Sequence, residues 1–211
     1  MPKQGTIQRE NLLLAEGLDA KLFFMYFFDT YKIKNIDVHD FGGIDDLPKY
    51  ITTLKKMENY NTVKTILIVR DSEESTISAI QSVNSTLKST ELLDKDIEPF
   101  TITEFNARKI GFMLFPGYDE NGQLCKKGTL EDLCLKIFKD RAILKQTGGY
   151  FEDFLKDKKL KREHKNRLHA AFSFTDDYVG NKIGETAKAK GFDYESPYFA
   201  PFLNIIKKID A

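Results

Sequence analysis

The chain has 211 residues, enough for one domain with a substantial core. Its 32 basic and 32 acidic residues cancel, so no global field draws it to nucleic acid or to a membrane surface, and any such attraction must be local. No apolar stretch approaches the roughly 18 residues of a transmembrane helix, residues 1–10 hold no signal-peptide core, and Cys125 and Cys134 lack the CxxC or His pairing of a zinc site; a cytoplasmic protein without a membrane partner is expected.

Along the chain, NLLLAEG (11–17) is a short apolar run ending in Glu16-Gly17. LDAKLFFMYFFDTYK (18–32) follows, with Asp19 a candidate N-cap and apolar residues on nearly every face, which predicts a helix buried against a sheet. NIDVHDFGG (35–43) alternates and ends in two glycines, the pattern of a second strand nearer an edge. A helix over residues 44–61 is predicted, capped by Asp45 or Asp46, with Pro48 in its first turn and Leu47, Ile51 and Leu54 as its inward stripe.

ILIVRDSEEST (66–76) drives a fully apolar run straight into ionisable side chains. Four branched residues without alternation predict a strand covered on both faces, as in parallel sheets. Its acidic end sits where open α/β sheets bind ligands. Equally, Ser72 or Asp71 caps the next helix, with Glu73 and Glu74 favourable to its dipole. That helix, residues 75–89, carries Ile77, Ile80, Val83 and Leu87. A linker is predicted over 91–107, then a fourth strand over 109–117 stopped by Pro116 and Gly117, then a short helix opened by Thr129. Four alternations of strand and helix predict a doubly wound, Rossmann-like, mainly parallel sheet of four strands over residues 1–138. Residues 139–211 read as a helical C-terminal extension packed on it, with Phe199, Phe202, Leu203 and Ile206 at helical spacing.

If the first and third strands are neighbours, Glu16, Asp71 and Glu73 converge on one crevice. At about 5 Å and an effective dielectric near 20, each pair of carboxylates costs roughly 3 kcal/mol. A divalent cation relieves that repulsion, and Mg²⁺ is the usual guest of carboxylates that also face phosphate. Gly17, and Gly42 with Gly43 at the second strand end, allow a phosphate or metal to approach the backbone closely.

Glu-Gly at the first strand end, with an acidic pair at the third, resembles the Toprim domain of topoisomerases, DnaG-type primases and OLD-family nucleases. LLLAEGLDAKLF, DFGGIDDLPKYI, ILIVRDSEES, IGFMLFPG and GTLEDLCL together look like a small stand-alone Toprim-like family, over roughly residues 10–138, and GETAKAKGFDYESPYFAPFLNII resembles the tail of such families. The resemblance implies Glu16 as general acid or base at a scissile phosphodiester, and Asp71 and Glu73 as holders of Mg²⁺ or Mn²⁺. It brings in Asp19, a helical turn after the glutamate, and Glu131 with Asp132 as further metal ligands. The sequence departs from the pattern in offering Asp-Ser-Glu for Asp-x-Asp, and Ala20 where another acid is a candidate. Glu131 and Asp132 otherwise simply favour the dipole of the helix they open.

Arg70 either meets phosphate or neutralises the acids. The stretch 156–169 holds seven Lys and Arg against two acids, so Lys158, Lys159, Lys161, Arg162, Lys165 and Arg167 are either nucleic-acid contacts or a solvated helix face. His39, His164 and His169 are too scattered for a triad, and Cys134 reads as core. No GxxxxGK[ST] is present, which excludes a P-loop enzyme, and a phosphoryl-acceptor receiver lacks its strand-end Lys. Two functions stand: a divalent-metal-dependent nuclease acting on DNA or RNA, or a non-catalytic module that binds a nucleotide, a nucleic acid or a separately encoded protein.

Overall fold

A computed structural model describes residues 6–155, 160, 162–175 and 182–210. Five strands, β1 (Asn11–Ala15), β2 (Ile36–Asp40), β3 (Thr65–Asp71), β4 (Thr101–Phe105) and β5 (Arg108–Phe115), form one sheet in the order β2-β1-β3-β5-β4. β1 lies parallel between β2 and β3, β3 pairs in parallel with β5, and β4 runs antiparallel at the edge. Helices α1 (Gly17–Tyr31), α2 (Leu47–Leu54), α3 (Thr76–Ser89) and α4 (Leu130–Ile137) follow β1, β2, β3 and β5. Residues beyond them form α5 (Arg141–Leu155), α6 (Glu163–Ser173), α7 (Ile183–Lys188) and α8 (Ala200–Asp210).

Because successive strand residues point to opposite faces, the sheet divides the core in two. Leu13, Ala15, Leu67, Val69 and Phe115 pack against α1, α4 and the C-terminal helices. Leu12, Leu14, Ile66, Ile68 and Leu114 pack on the other side, against Leu47, Ile51 and Leu54 of α2 and Val83 and Leu87 of α3. The uninterrupted apolar run of β3 thus reflects burial on both faces. Phe199, Phe202 and Ile206 are fully buried, with Leu203 partly so, and the Phe202 ring stacks on Phe115 at 5.3 Å. The described helices beyond residue 139 therefore share one core with the sheet face that carries α1.

Several expectations need correction, among them the helix over 44–61, whose α-helical part is only α2 between two short 3-10 turns. The stretch read as a linker contains a fifth strand, β4; its residues are exposed or half-buried and it turns into β5 through Asn106 and Ala107, both at positive φ, so neither burial nor an Asn-Gly turn signals it. Ile77 is 70% exposed rather than part of the α3 stripe. Asp19 does not cap α1: Glu16 occupies the N-cap position, and Asp19 stands exposed in the first turn. On α3 the cap is Ser75, whose side chain accepts the Ser78 N–H.

Candidate functional site

The parallel register sets Ala15 opposite Val69, so the residues just beyond, Glu16 and Arg70, emerge level at the carboxyl edge of the sheet. Glu16 donates its backbone N–H to Val69 O at 3.0 Å. Its carboxylate turns toward β3: Oε2 accepts the Asp71 N–H at 3.2 Å and lies 3.5 Å from Arg70 Nε. Arg70 Nε donates to Asp71 O at 3.1 Å, and Nη1 donates to Ser82 Oγ of α3 at 3.3 Å. Asp71 Oδ1 accepts the N–H of Leu130 at 2.8 Å. Leu130 is the first residue of α4, so this carboxylate occupies a helix N-terminus whose amide has no intrahelical partner. Glu73 stands at φ +52 and exchanges backbone hydrogen bonds with Gly128 at 3.0 and 2.9 Å. Its side chain is exposed.

The structure thus links Glu16, Arg70 and Asp71 directly and sets Glu73 and Glu131 close enough to act on them electrostatically. The Asp71 carboxyl is pushed up to about 8, first by burial, then by Glu16, with Glu131 and Glu73 adding to the rise and the Leu130 N–H opposing it. Burial also raises Glu16, against the lowering effect of Arg70 and the Asp71 N–H. Burial lowers Arg70, while Glu16, Asp71, Glu73 and Asp45 hold it up.

Glu131, at the start of α4, pairs with Lys165 of α6 at 3.5 Å. A cation from the C-terminal helices therefore reaches the edge of the acid cluster, a pairing that no local motif announces because 34 residues separate the partners. Asp132 closes a capping box on Thr129, whose N–H it accepts at 2.8 Å. Arg167 pairs with Glu163 along α6 at 2.8 Å and Arg162 is exposed; Lys158, Lys159 and Lys161 lie outside the described residues. Of the glycines, Gly17 stands at φ +78 with open space where a Cβ would be. The amides of Gly42 and Gly43 donate to Asp40 Oδ1 at 2.8 Å and Asp46 Oδ2 at 3.1 Å, so these two N–H groups are already engaged. Among the described residues, no three His, Cys, Asp or Glu side chains form a ready-made metal shell.

The molecule is thus a Rossmann-like, mainly parallel α/β protein with an acidic cluster at the carboxyl edge of its central strands. The chain belongs to the DUF3226 family, described as a protein of unknown function, whose model matches residues 10–210. No curated protein matches it. Two solved structures of the C-terminal region of the OLD protein of Xanthomonas campestris pv. campestris are similar in fold. The one phased with mercury has 12% identity and a TM-score of 0.48 over 97% of each chain. The one phased with platinum has 14% identity and a TM-score of 0.45 over 96% of this chain and 94% of that one.

Proposed function

We propose that the crevice carries out divalent-metal-dependent phosphodiester chemistry of the Toprim kind on nucleic acid. The observation that carries this reading is the contact at the ends of two adjacent parallel strands, where the Glu16 carboxylate accepts the Asp71 N–H and acts electrostatically on the Asp71 carboxyl. That edge is where open α/β sheets place their ligands.

The donor set fits Mg²⁺ or Mn²⁺. Carboxylate oxygens are the hard ligands such ions take, and Mg²⁺ is commonly held by only one or two carboxylates, with water and substrate phosphate filling the remaining positions. A ready-made protein cage is therefore not required. Asp71 and Glu73 would hold the ion, with Glu131 close by. Asp71, its carboxyl pushed up to about 8, would give up its proton to a cation bound beside it. When bound, the ion supplies neutralisation of the phosphate and activation of water. Glu16 holds or moves the proton, its carboxylate fixed by Arg70 and the Asp71 N–H. Lys165, paired with Glu131, stands ready to meet a phosphate at the crevice's edge.

Two observations favour a non-catalytic binding module instead. The Glu16 carboxylate is already engaged by Arg70, and Glu73 projects from a loop rather than from the strand end itself. The two readings separate on cleavage of supercoiled plasmid in Mg²⁺ or Mn²⁺: the nuclease reading requires nicking that EDTA stops, whereas a binding module leaves the plasmid intact.

A further inference from the structure

Among the described residues, Arg70 is the one Asp, Glu, Lys or Arg whose residue is buried, with 1% exposure. A guanidinium taken out of water is costly unless it is paired and hydrogen-bonded, and an apolar side chain of similar volume packs at no such cost. At this exposure Arg70 offers no surface to an incoming phosphate. Its recorded contacts lie within the protein: Nε donates to Asp71 O and pairs with the Glu16 carboxylate, and Nη1 donates to Ser82. Three elements meet on this one side chain, namely the β1–α1 junction, the end of β3, and α3.

We propose that Arg70 is a positioning residue: anchored on Asp71 O and Ser82 Oγ, its guanidinium holds the Glu16 carboxylate against the Asp71 N–H and serves as the crevice's resident countercharge. Both contacts fall on Glu16 Oε2, so Oε1 is the oxygen left to exchange a proton. The four acids that act on Arg70, Glu16, Asp71, Glu73 and Asp45, surround a positive charge that belongs to the chain itself. The cluster is thereby held in order before any cation or substrate arrives. A mere clamp between β3 and α3 needs only the Ser82 contact and leaves Glu16 free to turn.

The inference rests on the phosphodiester reading only for its activity arm. The primary test follows the Arg70 Nε–H and the Asp71 amide by NMR in ¹⁵N-labelled full-length protein in EDTA. Glu16→Gln, which removes the charge paired with Arg70, is expected to shift the Arg70 Nε–H resonance, and Glu16→Ala, which also removes the acceptor, to speed exchange of the Asp71 amide by about tenfold or more. Arg70→Lys is expected to speed the same amide to a similar degree, and Glu16→Ala in that background to add little. Ser82→Ala is expected to quicken exchange at Arg70 Nε. The proposal is overturned if the Arg70 resonance ignores Glu16→Gln, or if the Asp71 amide in Arg70→Lys exchanges as in wild type. Should Arg70→Lys not fold, the Glu16→Gln and Ser82→Ala spectra decide alone. In the activity arm, Arg70→Lys lowers kcat for plasmid nicking and keeps KM. Wild type that shows the NMR coupling but does not nick removes the nuclease reading and leaves the positioning role intact; nicking without the coupling does the reverse.

Discussion

Asp71 is a carboxyl held among carboxylates, and burial makes its charge costly. Its folded-state value of about 8 lies above the ordinary 3.8, so between those values the folded protein holds a proton that the unfolded chain has released. The stabilisation this residue contributes is therefore complete below about pH 4 and is lost as the pH rises toward 8, at up to about 1.4 kcal/mol per pH unit. In EDTA, thermal melts followed by circular dichroism are expected to show wild type losing stability from pH 5 to pH 8. Asp71→Asn is expected to flatten that slope and to melt above wild type at pH 8; an unchanged slope would show that Asp71 is ionised throughout. Backbone strain gives a second prediction at this scale. Gly42 stands at φ +89, and a Cβ there would lie 2.7 Å from Asp46 Oδ2, so Gly42→Ala is expected to cost about 1–3 kcal/mol. Gly17, at φ +78 in open space, is expected to lose about 1–2 kcal/mol as Ala, from backbone strain alone. Urea denaturation of both variants checks the order.

Among the elements, β3 was legible because burial on both faces leaves an uninterrupted apolar run, and α4 because Thr129 and Asp132 spell a capping box. β4 was not legible: an edge strand paired on one side buries too little to show a period, and its Asn-Ala turn lacks the usual glycine. Ile77 misled because its spacing fits a helical stripe, yet position two of α3 faces outward at the carboxyl edge. The convergence of Glu16 and Asp71 was legible as soon as β1 and β3 were placed side by side. The burial of Arg70 was not, since sequence alone treats an arginine as surface, and neither was the Lys165–Glu131 pair, which depends on how α6 packs against α4. The C-terminal helix gives the prediction at this scale. Phe202 is fully buried, with its ring 5.3 Å from that of Phe115 and 5.6 Å from that of Phe199. Phe202→Ala is expected to cost about 3–5 kcal/mol, and removal of residues 197–211 to lower the melting temperature further. Denaturation that hardly changes would make α8 peripheral to the core.

Across the whole molecule, the formal charge is zero, while Glu16, Asp71 and Glu73 share one buried cation, Arg70, at the carboxyl edge, an excess of acid that an added cation would offset before a phosphate backbone arrives. No described helix is long and apolar enough to cross a membrane, and the carboxyl edge is the surface at which the account places all binding. A divalent ion that binds only the folded state adds about 2.7 kcal/mol at a hundred times its dissociation constant. Mg²⁺ or Mn²⁺ is therefore expected to raise the melting temperature of wild type, and to raise it much less in Asp71→Asn. The most direct test is a nicking time course on supercoiled plasmid, with wild type and Glu16→Gln side by side in Mn²⁺ and in EDTA. Wild type is expected to nick in Mn²⁺ but not in EDTA, and Glu16→Gln to be slower by about a hundredfold or more, the usual contribution of a positioned acid or base. Wild type that leaves the plasmid intact in Mn²⁺, or Glu16→Gln that cleaves at the wild-type rate, would contradict it.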